Sequence, residues 1–171
     1  MIKKIIFEGI DGSGKTSIIK ELLKYSLKQG LKCRYVDEIE KSPINKILKK
    51  MLKKDPFFRQ KNSFKTSIFE TLLLVADDNF RNNYIHNENQ RKNYDLFVFD
   101  RGYLSILIYQ ALIIKKDYKN SYKKIMKYIQ KILFFDSPFK KRDTLFIYVK
   151  TPIQICIERM KKRDKIYLSK S

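Results

Sequence analysis

Eight residues near the N-terminus, Gly9-Ile10-Asp11-Gly12-Ser13-Gly14-Lys15-Thr16, have the types and the spacing needed to hold a polyphosphate. They match G-x-x-x-x-G-K-S/T in full, after an apolar run and before a helical pattern, the setting that this motif requires. Gly12 and Gly14 let the backbone curl so that successive N–H groups converge on phosphate oxygens. The start of the following helix, where Ser17 completes the ATP-binding set, adds the partial positive charge of its dipole. Lys15 is placed to reach the β- and γ-phosphates of ATP, and the Thr16 hydroxyl to ligate Mg²⁺.

A second pair, Asp100-Arg101, follows the apolar run Leu96-Phe97-Val98-Phe99. An aspartate at a strand end can support Mg²⁺, and an arginine beside it can fork two oxygens of a phosphate. Taken alone, the dipeptide could equally be a helix cap next to a surface arginine. Its expected place opposite the phosphate loop favours the chemical reading.

The elements that must position these residues follow from periodicity. Lys4-Ile5-Ile6-Phe7-Glu8 reads as a buried parallel strand. Ile18, Ile19, Leu22, Leu23 and Leu27 recur at helical spacing, and Gly30 stops that helix. Lys32 to Val36 is a second strand, ending at Asp37-Glu38. A helix opened by Pro43 carries Ile44, Ile47, Leu48, Met51 and Leu52 on one face, and Asp55-Pro56 breaks it. A longer helix runs from about Ser63 to the Asn82-Asn83 region. Leu96 to Phe99 is the third strand, helices fill about Tyr103–Lys115 and Ser121–Phe135, and Leu145 to Val149 is the fourth strand. Thr151-Pro152 starts a last helix reaching about Lys162. Strands alternating with helices predict one α/β domain over residues 1–171, three-layered with a mostly parallel sheet. Ligands bind such sheets at the carboxyl ends of the strands, where Gly9, Asp37, Asp100 and Thr151 all fall.

Composition sets further bounds. The formal charge is +20, and 30 of the 38 basic residues are Lys. The lysines are scattered over every predicted helix, so a solvated basic surface is favoured over a dedicated nucleic-acid site. Such a field would speed the arrival of anionic nucleotides. No stretch of apolar residues is long enough to span a membrane, and the N-terminal run is too short for a signal peptide, which implies a cytoplasmic protein. Cys33 and Cys156 lack metal-ligand spacing and are expected to be small buried residues in a reducing compartment.

The chain resembles the thymidylate kinases and their close relatives. The resemblance rests on FEGIDGSGKTS, DEIEKSPINKILKKML, LLLVADDNFR, DRGYLSILIYQ and RMKKR, in that order along nearly the whole chain. It implies a P-loop kinase that moves the γ-phosphate of ATP onto a nucleoside monophosphate, dTMP first among them, with Mg²⁺ as cofactor. It implies that Asp11 faces the acceptor's sugar and phosphate, that Asp100 supports Mg²⁺ and phosphoryl transfer, and that Arg101 holds the acceptor phosphate. Tyr109 would lie against the deoxyribose, with Ser105 and Gln110 on the same helix pattern. Lys41 is the basic residue nearest the SPI stretch, and Glu38 is the glutamate kept from the family's pocket loop. Because Ser13 at the loop tip brings no cation, charge on the γ-phosphate must be met from elsewhere. Relatives with such a loop use lid arginines, and here Arg159 and Arg163 share one helix face within a lid of about 158–171. Two solvated arginines are the plainer reading of that pair. Relatives commonly form homodimers.

Three departures qualify the resemblance. Leu74 and Asp78 stand where an aromatic residue and an arginine meet thymine, and Ile106 stands where a polar base contact is expected. The loss weakens base discrimination. Relatives also continue past the lid with a further helix, a fifth strand and an adenine-contacting loop, whereas this sequence ends at Ser171, as a truncated or naturally short form. The other readings are a kinase of another acceptor, such as a nucleoside, and a non-catalytic nucleotide- or nucleic-acid-binding relative.

Overall fold

The computed structural model describes residues 3–37, 42–54, 64–86, 92–117, 121–133 and 143–163. Its first strand, β1 (Lys4–Glu8), leads through the Gly-rich loop into α1 (Lys15–Lys28) and then β2 (Cys33–Val36). Helices α2 (Asn45–Lys54) and α3 (Phe64–His86) precede β3 (Leu96–Asp100). Helices α4 (Tyr103–Asp117) and α5 (Tyr122–Leu133) lead to β4 (Thr144–Tyr148) and α6 (Ile153–Arg163). The sheet order is β2-β3-β1-β4, with every pairing parallel. Phe7 lies opposite Asp100, and Glu8 opposite Tyr148, so the carboxyl ends of the central strands finish level.

Alternation along β1 divides the core. Ile5 and Phe7 pack with Val98 and with Ile19 of α1 on one face of the sheet. Ile6 turns the other way to meet Val36, Phe97 and Phe99. On that second face Lys4 reaches Asn82 of α3, and Glu8 reaches Ser105 of α4. The result is the three-layer arrangement expected of alternating strands and helices. Helix α5 is held one layer further out, through Ile125 and Ile129 against Leu107, Ala111 and Ile114 of α4.

Most boundaries expected from the sequence fall within two residues of the observed ones. Helix α1 ends at Gly30 because its φ of +75° suits glycine, and the Gly30 and Leu31 N–H groups close on Leu27 and Ser26. Three details differ. The apolar stripe of α1 is narrower than its spacing suggests, since Ile18 and Leu27 are exposed and only Ile19 is fully buried. Helix α3 runs past Asn82-Asn83 to His86, with Asn82 Nδ2 donating to the Asp78 carbonyl one turn back. Cys156 is buried as expected, but Cys33 is only half-buried at the start of β2. Among the described residues no helix is long and apolar enough to cross a membrane.

Candidate functional site

The phosphate loop is shaped by close approach as much as by torsion. Gly12 has φ +77°, and a Cβ there would lie 2.4 Å from the Cys156 carbonyl oxygen. Helix α6 therefore packs against bare loop backbone. Thr151 fixes the same contact from the β4 side by donating its hydroxyl to the Ser13 carbonyl at 2.9 Å. Lys15 is buried, and its Nζ donates back to the carbonyls of Gly9 at 2.9 Å and Ile10 at 3.2 Å. Its ammonium thus sits inside the loop's curl.

The end of β3 closes on this loop. The Thr16 hydroxyl donates to Asp100 Oδ2 at 2.9 Å, joining the two residues assigned to Mg²⁺. A hydroxyl and a carboxylate are hard oxygen donors of the kind Mg²⁺ prefers, and the ion commonly takes few protein ligands alongside phosphate oxygens and water. The described residues contain no group of three or more His, Cys, Asp or Glu side chains that could hold a metal ion. Tyr35 leans its hydroxyl towards Asp100 and Asp37, at 3.4 Å from each. Burial and the two neighbouring carboxylates push its proton affinity up, so it stays neutral.

Arg101 is the most constrained residue of the site. Its φ is +66°, a left-handed conformation that costs a non-glycine residue roughly 1–2 kcal/mol. Its guanidinium pairs with Asp11 through Nη2, donates to Ser105 Oγ through Nη1 at 3.1 Å, and lies over the Tyr109 ring at 5.3 Å. Asp11, Ser105 and Tyr109, all assigned to the acceptor, are therefore gathered around one cation. Arg159 and Arg163 line the same cleft of about 560 Å³, and Arg159 donates to the Gly12 carbonyl at 3.2 Å. Gly12, Gly14, Lys15, Thr16, Ser17 and Asp100 complete its loop side.

Other assigned residues lie elsewhere. Gln110 is 2% exposed, and its Oε1 lies 2.9 Å from the Thr71 hydroxyl, whose one proton also faces the Ser67 carbonyl at 2.7 Å, so Gln110 joins α4 to α3 within the core and is not among the residues lining the cleft. Its spacing on α4 matched a pocket residue, but the pattern cannot distinguish two neighbouring faces of one helix. Thr71→Val removes the hydroxyl shared by the Ser67 and Gln110 oxygens and should lower stability by about 1–3 kcal/mol. Chemical denaturation should record that loss, while any acceptor KM stays near wild type. Asp78 is buried too, with Oδ1 accepting from Arg81 at 2.9 Å and Oδ2 from Asn82 at 3.1 Å. Burial pushes its carboxyl up and Arg81 opposes that. Arg81 Nε lies 3.3 Å from Asp77 without hydrogen-bond alignment, and Nη1 donates to the Asp37 carbonyl at 3.0 Å. Each carboxylate oxygen of Asp78 thus already accepts a hydrogen bond from its own helix. Leu74 is half-buried on the same helix. Glu38, Lys41 and the end of the lid lie outside the described residues.

Glu8 was missed by reasoning from sequence, which treated it only as the end of a strand. Its carboxylate accepts the Ser105 hydroxyl at 2.6 Å and the Gly102 N–H at 3.0 Å. Burial pushes its carboxyl above the ordinary value, opposed by those two bonds and by Arg101. The available signal was alternation, since Glu8 shares a face with Ile6 and a charge there must be buried.

Comparison with known proteins places the chain in one family. The family model described as thymidylate kinase matches residues 7–170. A probable thymidylate kinase 1 of Saccharolobus solfataricus is 30% identical over 165 residues, covering 96% of this chain and 73% of the relative. Among solved structures, thymidylate kinase from Ehrlichia chaffeensis superposes with a TM-score of 0.60 at 20% identity, over 95% of this chain and 88% of that one. A deoxyadenosine kinase from M. mycoides, solved with bound dATP, gives 0.54 at 19% identity, over 94% and 71%. At these identities the two structures speak for the fold.

Proposed function

Because the chain belongs to the thymidylate kinase family, we propose that it is a nucleoside monophosphate kinase that transfers the γ-phosphate of ATP to dTMP, giving ADP and dTDP. The observation that carries the reading is the single cleft in which the phosphate loop, the Thr16–Asp100 pair and the Arg101–Asp11 pair face one another. One half suits a donor triphosphate and the other an acceptor phosphate beside a sugar.

The proposed roles are these. Loop N–H groups and Lys15 bind the β- and γ-phosphates, and Lys15 leaves the Gly9 and Ile10 carbonyls to do so. Arg101 exchanges Asp11 for the incoming acceptor phosphate, freeing the Asp11 carboxylate for the sugar hydroxyl. Arg159 and Arg163, on the last turns of α6, meet charge on the transferring group, with residues 158–171 as the lid. Thr16 and Asp100 would hold Mg²⁺, which would supply neutralisation of phosphate charge. No side-chain nucleophile is needed, because an oxygen of the acceptor phosphate attacks the γ-phosphorus in line and ADP leaves.

One observation favours a different acceptor. Asp78 stands at the position of the family's thymine-reading arginine and is already paired with Arg81 and Asn82. A panel of nucleosides and monophosphates with coupled detection of ADP decides the matter. The dTMP reading expects the highest kcat/KM for dTMP; preference for another monophosphate moves the base and keeps the reaction class. Turnover of nucleosides alone, or none at all, overturns the proposal.

A further inference from the structure

Behind Arg101 a continuous line of buried polar groups leads back into the sheet. Glu8, Ser105 and Arg101 are 5%, 8% and 5% exposed. The Ser105 hydroxyl donates to Glu8 Oε2 at 2.6 Å, and the same oxygen accepts from Arg101 Nη1 at 3.1 Å. The backbone is held by the same strand. The Arg101 N–H donates to the Phe7 carbonyl at 2.9 Å, and the Gly102 N–H donates to Glu8 Oε1 at 3.0 Å. Consecutive residues of β1 thus grip both amides that flank the left-handed Arg101.

We propose that Glu8 is the positioning residue for Arg101, fixing both the direction of its guanidinium and its unusual backbone. The inference rests on Arg101 being the acceptor-phosphate ligand. An ionised carboxylate only accepts hydrogen bonds, so it commits the Ser105 proton towards itself and turns a Ser105 lone pair towards Arg101. A neutral amide in its place must present a donor to one of these two partners. That arrangement either loses the Gly102 N–H or points a second donor at Ser105. An apolar residue like Ile6, the neighbour on the same face, would fill the space without the cost of burying a charge. The two accepted bonds and the nearby guanidinium are what stabilise the charge there. The Asp11 pair orients Arg101 from the cleft side, and this pair must part when acceptor binds. Glu8 works from behind and stays in place when that pair opens.

The test compares Glu8→Gln, Ser105→Ala and the double variant with wild type. Steady-state kinetics should show acceptor KM rising roughly 10- to 100-fold, the loss of one hydrogen bond to a charged group, with the KM for ATP near its wild-type value. The double variant should be no worse than the worse single one, because both break one line. Independently of turnover, ¹⁵N-arginine NMR of the full chain should show slowed rotation of the Arg101 guanidinium in wild type and free rotation in the variants. Equal loss for both substrates, additive effects, or an unchanged guanidinium signal overturns the inference. If Glu8→Gln fails to fold, Ser105→Ala carries the test, since it keeps the carboxylate and cuts only the link. A wild type that phosphorylates no monophosphate counts against the kinase reading, and the guanidinium signal still decides the role of Glu8.

Discussion

Lys15→Ala is expected to lower kcat/KM by roughly 100- to 1,000-fold or more, the size of effect seen when one preorganised charge is removed from a transition state. The protein should remain folded. The Lys15 ammonium bonds the Gly9 and Ile10 carbonyls, at the turn where the loop leaves β1. Removing it takes a partner from the Gly9 carbonyl, while the Ile10 carbonyl keeps the Ser13 N–H at 3.2 Å, a cost of about 1–3 kcal/mol at most, and the adjoining cleft lets water take part of the load. Circular dichroism should therefore be preserved and the melting temperature modestly reduced. The same variant separates the enzyme from a non-catalytic nucleic-acid binder. With a net charge of +20 such a binder would hold oligonucleotides through many scattered lysines, with strong salt dependence, and would survive the loss of one buried ammonium. Loss of turnover with a retained fold supports the enzyme; unchanged oligonucleotide binding alongside absent turnover in wild type supports the binder.

The second large effect is expected at Arg101, where two substitutions should lose activity alike but differ in stability. Both Arg101→Ala and Arg101→Gly remove the cation that faces Asp11 and, through Ser105, Glu8, so both should lose turnover. They differ in the backbone. At φ +66° alanine keeps the steric penalty of the left-handed region and glycine does not. Arg101→Gly should therefore unfold with about 1 kcal/mol more resistance than Arg101→Ala, while being no more active. Denaturant titration of the two variants measures that difference directly. Equal stabilities would mean that the strain is relaxed by local movement. Activity retained in either variant would remove Arg101 from the acceptor site. A residue held at a conformational cost in a cleft is a common sign that its position matters to function.

Much of this was legible because the signals are local. The phosphate loop is contiguous, its glycines and its Lys-Thr pair have fixed offsets, and the strand before and helix after it follow from simple periodicity. The order of alternating strands and helices was enough for a parallel three-layer domain, and the rule that such sheets bind ligands at their carboxyl ends placed Asp100-Arg101 near Gly9 to Thr16. The residues less well read are those whose meaning depends on direction across an interface. Gln110 and Tyr109 are adjacent on α4, yet one side chain turns into the α3 contact and the other lies against Arg101. Asp77, Asp78 and Arg81 stand close together on α3, and only their packing against the sheet shows that they satisfy one another.

The sequence by itself therefore determined the phosphate-binding loop, the parallel α/β frame and the strand end that faces the loop. Each of these is written in short-range spacing. Only the tertiary structure decided which polar residues are consumed within the fold and which are left to meet a ligand. Hydrogen bonds between β1, α3 and α4 join residues tens of positions apart, and a buried donor or acceptor takes whatever partner the packing brings. Glu8 shows the difference most clearly. In the sequence it closes a strand, and in the fold it holds Ser105, Gly102 and, through them, Arg101.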